Sequence, residues 1–331
     1  MSNSKAFDLK IEYMIDVIKR VVPKKVGLQF PEGFKRRAIG IASRVERATD
    51  AAVEISANPC YGACDLDTAL IDNNDIVFHF GHSELNDTPY SEKVYFIEAV
   101  SSVDVKEVAS KALEVLGGQH IGLITTVQHV HKLDDVRRVL EDSGKQCVIA
   151  IGDNRMAYPG QVLGCNFSSA RAEDCDEYLY VGSGEFHPLG VSLATGRPVY
   201  VADPFVNEVH RVDPSKILRQ RSASIARSLD ASLVGILVST KTGQNRMQLA
   251  LSLKDMAKRH GKEAHILSMD LITPEQLLQF KVDAYVNTAC PRIAIDEVGR
   301  FPAPMLTPPE FEIVCGERQW EELVFDEIRG E

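Results

Sequence analysis

No apolar run in this chain approaches the roughly 18 residues that a membrane-spanning helix needs, so no such helix is expected. The first ten residues are polar and carry no apolar signal-peptide stretch, so a cytoplasmic location is expected. Basic residues are outnumbered, 37 Lys and Arg against 47 Asp and Glu. The resulting net charge of −10 argues against a nucleic-acid groove and suits an anionic membrane surface poorly. The seven cysteines lack the spacing of a disulfide framework. In a reducing compartment they read instead as metal ligands, catalytic groups or core. A short iron–sulfur motif is missing too: Cys60 and Cys64 match the opening of CxxxCxxC, but no third cysteine follows at that spacing. One of that pair is therefore a candidate ligand and the other a bystander.

What the chain does contain is a pattern that starts three times. With 44% hydrophobic residues over 331 positions there is enough for two or three cored domains. Residues 8–22 have helical periodicity. Residues 25–30 then form a short apolar strand, 35–49 a helix, and 51–56, 75–80 and 94–97 further strands. The order restarts with a strand at 120–126, a helix at 133–143 and strands at 146–151, 178–181 and 198–202. It restarts again with a strand at 233–240, a helix at 245–260 and strands at 263–269 and 284–287, before residues 305–309 close the unit. Residues 206–230 read as a helical linker, with a helix-start signal at Val212-Asp213-Pro214-Ser215. Three small doubly wound α/β repeats are predicted, spanning 1–110, 111–214 and 215–331. The repetition is one of topology.

One cysteine in each unit follows a strand: Cys64, Cys165 and Cys290. The last closes the run Asn287-Thr288-Ala289-Cys290-Pro291-Arg292, at the strand end where open α/β sheets hold their ligands. A single such cysteine is more simply a core residue; three, one per unit, converge if the units pack with strand ends inward. Three thiolates suit zinc with a fourth N or O ligand, or a [4Fe–4S] cluster with one iron left open. Cys147, Cys175 and Cys315 read as structural. Gln29, Gln128 and Gln244 each end the first strand of a unit and are expected to face one cavity, and His82 and His187 also end strands. Glu32 and Asp65 are candidates for proton handling without an assigned role.

The loops carry a resemblance. The segments 61–65 (YGACD), 81–83 (GHS), 159–166 (PGQVLGCN), 182–190 (GSGEFHPLG) and 289–292 (ACPR), with 29–33 (QFPEG) and Gln128-His129, resemble the diphthamide-biosynthesis family in order and over nearly the whole chain. That resemblance implies three Rossmann-like α/β repeats around a central iron–sulfur site, with a [4Fe–4S] cluster on Cys64, Cys165 and Cys290. It selects Cys64 over Cys60, because the family cysteine follows Tyr-Gly-Ala. It implies a non-classical radical S-adenosylmethionine transferase, working as a homodimer with an electron donor. The enzyme would break the bond from sulfur to the methionine γ-carbon and release 5′-methylthioadenosine. The 3-amino-3-carboxypropyl group would pass to C2 of a histidine in elongation factor 2, the first step of diphthamide synthesis. Arg292 is then expected to clamp the carboxylate of S-adenosylmethionine, and His187 to be a catalytic group. Gly182, Ser183 and Gly184 would let the backbone approach the cosubstrate, with Gln29 and Gln244 lining its site. Two other classes fit the same cysteine pattern: a quinolinate synthase-like dehydrating and condensing enzyme, which would want a Ser/Thr-rich phosphate cradle, and a non-catalytic subunit with a structural cluster or zinc.

Overall fold

A computed structural model describes residues 6–86, 90–296 and 299–330. Phe7–Asp8 (β1) leads into an amphipathic helix, Ile11–Val21 (α1), which buries Met14, Ile15, Val17 and Ile18. The first sheet follows: Lys25–Gln29 (β2), helix Lys35–Ala48 (α2), Ala52–Ile55 (β3), helix Thr68–Asn73 (α3), Ile76–Phe80 (β4) and Val94–Ile97 (β5). Val100–Ser101 (β6) returns antiparallel to β1. Helix Lys106–Ala112 (α4) opens the second unit: His120–Thr125 (β7), Leu133–Glu141 (α5), Gln146–Val148 (β8), Ser168–Arg171 (α6), Glu177–Val181 (β9), Phe186–Thr195 (α7), Val199–Asp203 (β10) and Glu208–Arg211 (β11). Ser215–Ser228 (α8) leads to the third: Leu233–Ser239 (β12), Met247–Arg259 (α9), Glu263–Met269 (β13), Pro274–Leu277 (α10), Ala284–Asn287 (β14), Arg292–Asp296 (α11), Met305–Leu306 (β15) and Pro308–Val314 (α12). Among the described residues no helix is long and apolar enough to cross a membrane.

The three sheets run β3-β2-β4-β5, β11-β10-β9-β7-β8 and β13-β12-β14-β15. In each, the second strand of the unit sits at the edge, beside the first, then the third, then the fourth. All these pairs are parallel. Parallel strands need a crossover connection, so strands expected to follow one another directly are separated by α3, α6 and α10. Burial on both faces makes the central strands continuous apolar runs: every residue of β4, β9 and β14 is buried. The stretch 206–230 is not purely a helical linker. Its first part forms β11, an antiparallel edge on β10, and only 215–228 is helix.

The repeat also reaches single residues. The first strands share a glycine in their third position: Gly27, Gly122 and Gly235. A Cβ there would lie 2.9 Å from Val77, 2.3 Å from Tyr178 and 2.9 Å from Tyr285, each the second residue of the neighbouring third strand. An aspartate immediately precedes each of these third strands and reaches back to the start of the first. Asp75 accepts from the Lys24 and Lys25 amides at 2.8 and 2.9 Å. Asp176 accepts from Gln119 and His120, both at 2.8 Å, and Asp283 from Ser232 and Leu233 at 2.9 and 2.8 Å. These amide bonds hold all three carboxyls below the ordinary aspartate range. Each thus pins the strand pair at the centre of its sheet, at the end away from the cysteines.

The third unit is braced by a buried ion pair. Arg221 on α8 donates through Nε to Glu310 Oε1 at 2.6 Å and through Nη2 to the other carboxylate oxygen. Its remaining donors reach the Ala294 and Met305 carbonyls at 2.5 and 2.6 Å. Each of the three guanidinium nitrogens thereby donates at least one hydrogen bond, and α11, which follows Cys290, is tied to the sheet. Arg221→Ala strands the Glu310 carboxylate and is expected to destabilise the protein by about 3–5 kcal/mol. Paired Arg221→Met and Glu310→Leu changes should cost less, both measured by urea and thermal unfolding.

Candidate functional site

The carboxyl ends of the three sheets meet around one cavity, lined by Cys64, Cys165 and Cys290 together. The three cysteines do not sit at equivalent places. Cys64 and Cys165 lie in loops between second and third strands, whereas Cys290 follows the third strand of its unit. All seven cysteines are free. Burial raises the pKa of each of the three thiols, Cys290 to about 12. Mutual charge adds to this, because Cys64 and Cys290 both oppose ionisation of Cys165. Three thiols held against ionisation, Cys165 buried and Cys64 and Cys290 partly so, fit a group that brings its own positive charge.

Cross-unit contacts shape each loop. In the first unit, Asp65 pairs with Lys241 at 2.7 Å, both side chains nearly buried. Asp65 Oδ2 also accepts from the Tyr61 amide at 3.2 Å, closing the turn around Cys64. The third unit's segment 241–244 presses on this loop. A Cβ on Gly243 would lie 2.5 Å from Cys64 Cα, so only glycine allows the approach. Gln244 Nε2 donates to Cys64 Sγ at 3.2 Å. In the second unit, Gln161 holds its own loop by accepting from Ala157 and Tyr158, both at 3.1 Å, and donates to Ser83 Oγ of the first unit at 2.8 Å.

Two features were not foreseen. Arg246, at the start of α9, donates to the carbonyls of Thr288 and Ala289 at 2.6 and 3.1 Å, immediately before Cys290. Its Nη1 and Nη2 also grip Asp326 at 2.9 and 2.6 Å. Asp326 belongs to the C-terminal segment, whose Ile328 amide donates to the Cys165 carbonyl at 2.8 Å. One arginine therefore couples two of the three cysteine loops. Arg155 is the second. It lines the cavity, donates to the Gly243 carbonyl at 3.2 Å, and keeps its buried Nε without a hydrogen-bond partner. It favours ionisation of both Cys64 and Cys165. Neither arginine lies in a strand-end motif, so only the folded chain reveals them.

The expected ligand contacts divide. Arg292 and His187 line the cavity, as do His82 and Gln128. Arg292 spends one guanidinium edge on Asp296, through Nε at 2.8 Å and Nη2 at 2.7 Å, and stacks 4.2 Å over the Phe186 ring centre. His187 lies parallel to Tyr180. Burial, then the Arg292 charge, lowers its pKa to about 4, so it is neutral near pH 7. Gln29 lies off the cavity wall. It is buried behind the Cys64 loop, donating to the Asp65 carbonyl at 2.7 Å and facing His79 Nδ1 at 2.9 Å. Gly182, Ser183 and Gly184 also lie off the wall. The last two are exposed at the start of α7, and the positive φ angles of Gly182 and Gly184, 144° and 87°, serve the turn. Glu32 is exposed, beside Lys35.

This architecture is an α/β fold whose largely parallel sheets present three free cysteines to a shared cavity, a donor set whose chemistry suits a metal group. Residues 30–324 match the family described as putative diphthamide synthesis protein, and the chain belongs to that family. It is 38% identical over 317 residues to the 2-(3-amino-3-carboxypropyl)histidine synthase of Pyrococcus horikoshii, covering 95% of this chain and 91% of that one. It is 31% identical over 329 residues to subunit 1 of the corresponding synthase of Gallus gallus, covering 96% and 78%. A crystal structure of Dph2 from Pyrococcus horikoshii with a 4Fe–4S cluster superposes with a TM-score of 0.89 at 36% identity, over 98% of this chain and 94% of that one.

Alanine in place of Cys64, Cys165 or Cys290 is expected to abolish the brown absorbance of anaerobically reconstituted protein, and Cys60→Ala to retain it. Gly243→Ala, which adds a methyl against the Cys64 backbone, should lower iron content with the circular dichroism unchanged. Iron assay and the visible spectrum check both.

Proposed function

We propose that the chain is a 2-(3-amino-3-carboxypropyl)histidine synthase. On this reading it transfers the 3-amino-3-carboxypropyl group of S-adenosylmethionine to C2 of a histidine in elongation factor 2 and releases 5′-methylthioadenosine. The observation that carries the reading is the shared cavity with its three thiols, in a chain similar throughout to synthases of that name. Cys64, Cys165 and Cys290 would hold a [4Fe–4S] cluster. When bound, the cluster supplies the electron that breaks the bond between sulfur and the methionine γ-carbon. The protein's own work is placement and charge.

Two cations serve the amino-acid end of S-adenosylmethionine. Arg292 has an edge of its guanidinium away from Asp296, and Arg155 has its unpartnered Nε. A carboxylate bound between them would gain charge-assisted hydrogen bonds in a site largely shielded from water. Gln244 donates to Cys64 Sγ, a contact that favours the thiolate and orients it. His187, neutral at working pH and on the cavity wall, is suited to accept the proton that leaves the target imidazole when C2 is substituted; the electron spent on the carbon–sulfur bond is given up with that proton, so the transfer would be redox-neutral overall. His82 is equally neutral, but its Nδ1 is turned toward His79. The dehydratase alternative asks for a phosphate cradle at the cavity, and its one candidate, Gly182–Gly184, stands away from it. A homodimer, a separate electron donor and a cytoplasmic setting complete the reading. They rest on the family resemblance and, for the setting, on seven free cysteines.

Anaerobic incubation with the same organism's elongation factor 2, S-adenosylmethionine and dithionite should modify one histidine peptide, detected by mass spectrometry, and release methylthioadenosine. An intact cluster that yields neither product would overturn the reading. Arg292→Ala is expected to weaken S-adenosylmethionine binding by about one to two powers of ten, the loss of about 1.5–3 kcal/mol. Arg292→Lys should lose less, with the cluster spectrum unchanged in both, and calorimetric titration measures each.

A further inference from the structure

Beside the three-cysteine cavity lies a second group with ligand chemistry. Cys60, His79 and His82 each place a donor atom within 4.8 Å of the other two. Cys60 and His79 are fully buried, at 2% and 0% exposure, while His82 reaches the cavity wall. Among the described residues no other His, Cys, Asp or Glu joins this set. Cys60 is the cysteine that the cluster assignment leaves over, and it precedes Cys64 in the same tight loop.

The hydrogen bonds around His79 settle its tautomer. Gln29 Nε2 donates to the Asp65 carbonyl at 2.7 Å, which fixes the amide so that Oε1 faces His79. Oε1 can only accept, so His79 Nδ1, at 2.9 Å, must carry the proton. His79 Nε2 is therefore an acceptor, and His82 Nδ1, 2.9 Å away, donates to it; a metal ion would take the place of that shared proton, with His82 then carrying its own on Nε2. An imidazole whose outer N–H is anchored to an oxygen, with a second imidazole on its other nitrogen and a cysteine thiol within 4.8 Å of the pair, is the arrangement of a metal-ligating histidine with its supporting partner. Tetrahedral zinc with Zn–N bonds of about 2.0–2.1 Å separates two nitrogens by about 3.4 Å. A small outward turn of His82, the least buried member, supplies the difference.

We propose that Cys60 Sγ, His79 Nε2 and His82 Nδ1 bind one zinc-class divalent ion, separate from the cluster. One thiolate and two imidazoles form a borderline-soft donor set that suits zinc, with a fourth position for water. The ion would tie the loop carrying Cys64 to the end of β4, so that this loop is held from below by metal and from above by Gly243 and Gln244. The inference does not depend on the reaction proposed above.

The test uses the full-length, cluster-reconstituted protein supplied with zinc chloride and then desalted. Elemental analysis should find about one zinc per chain in addition to the cluster iron, and zinc-edge X-ray absorption should show one sulfur and two nitrogen ligands. Cys60→Ala and His82→Gln should each lower bound zinc at least about tenfold while iron is unchanged. Gln29→Leu, which keeps all three ligands but frees His79 Nδ1, should weaken zinc binding by about 10–100-fold. Because His82 is at the cavity wall, His82→Gln remains informative if the buried Cys60 variant fails to fold. Wild-type protein without zinc, zinc held by three sulfurs, or zinc retained in His82→Gln would each overturn the proposal.

Discussion

Three thiols gathered at one cavity, Cys165 buried and Cys64 and Cys290 partly so, set the terms for everything else in this molecule. Each ionised sulfur raises the cost of ionising the next, and burial removes the water that would otherwise screen them. The fold answers with fixed positive charge at a distance: Arg155 near Cys64 and Cys165, Arg246 near Cys165, and Arg292 near Cys290. These arginines are themselves secured. Arg246 is bound to Asp326, Arg292 to Asp296, and Arg155 to the Gly243 carbonyl. Fixed arginines thus offset part of the cost of placing three thiolates in one pocket.

Convergence depends on three sheets of one design. A glycine in the first strand admits a side chain from the third, and an aspartate at the foot of the third strand clamps the foot of the first. With the base of each sheet held, the opposite ends are free to carry irregular loops, which is where open α/β sheets place ligands. The third unit breaks the equivalence by delivering its cysteine after the third strand. Its other strand-end segment, 241–244, is thereby released to press on the Cys64 loop, with Lys241 on Asp65 and Gly243 against Cys64 Cα. This segment thus adds a third-to-first contact to the one that Gln161 makes between the second unit and Ser83 of the first.

The neighbourhood of Cys64 is more heavily built than those of the other two cysteines. Gln29, Asp65, His79 and His82 form a connected polar layer beneath it. Such a layer is costly unless every member is satisfied. Gln29 satisfies it by using both ends of its amide, which explains why a glutamine at a strand end, expected at the cavity, is held one layer below it.

Much of this was legible from residues alone. Continuous apolar runs ending in Gly, Pro or Cys mark buried parallel strands, because such strands have two covered faces and loops only at their ends. The three restarts and the strand-end cysteines follow from that pattern, and the loop motifs around Cys64, Cys165 and Cys290 carry the family resemblance. The glycine and aspartate repeat was present too, as Val-Gly, Ile-Gly and Val-Gly in the first strands, but a glycine's reason for being there is the ring or methyl packed over it, which only the sheet supplies. Tertiary structure alone decided that Arg246 joins two cysteine loops through a C-terminal segment 80 residues away, that Arg155 faces the cavity, and that Gln29 does not. Strand periodicity assigns a side chain to a face of its own sheet; which loop from another unit lies opposite depends on how the three sheets dock, and no local spacing encodes that.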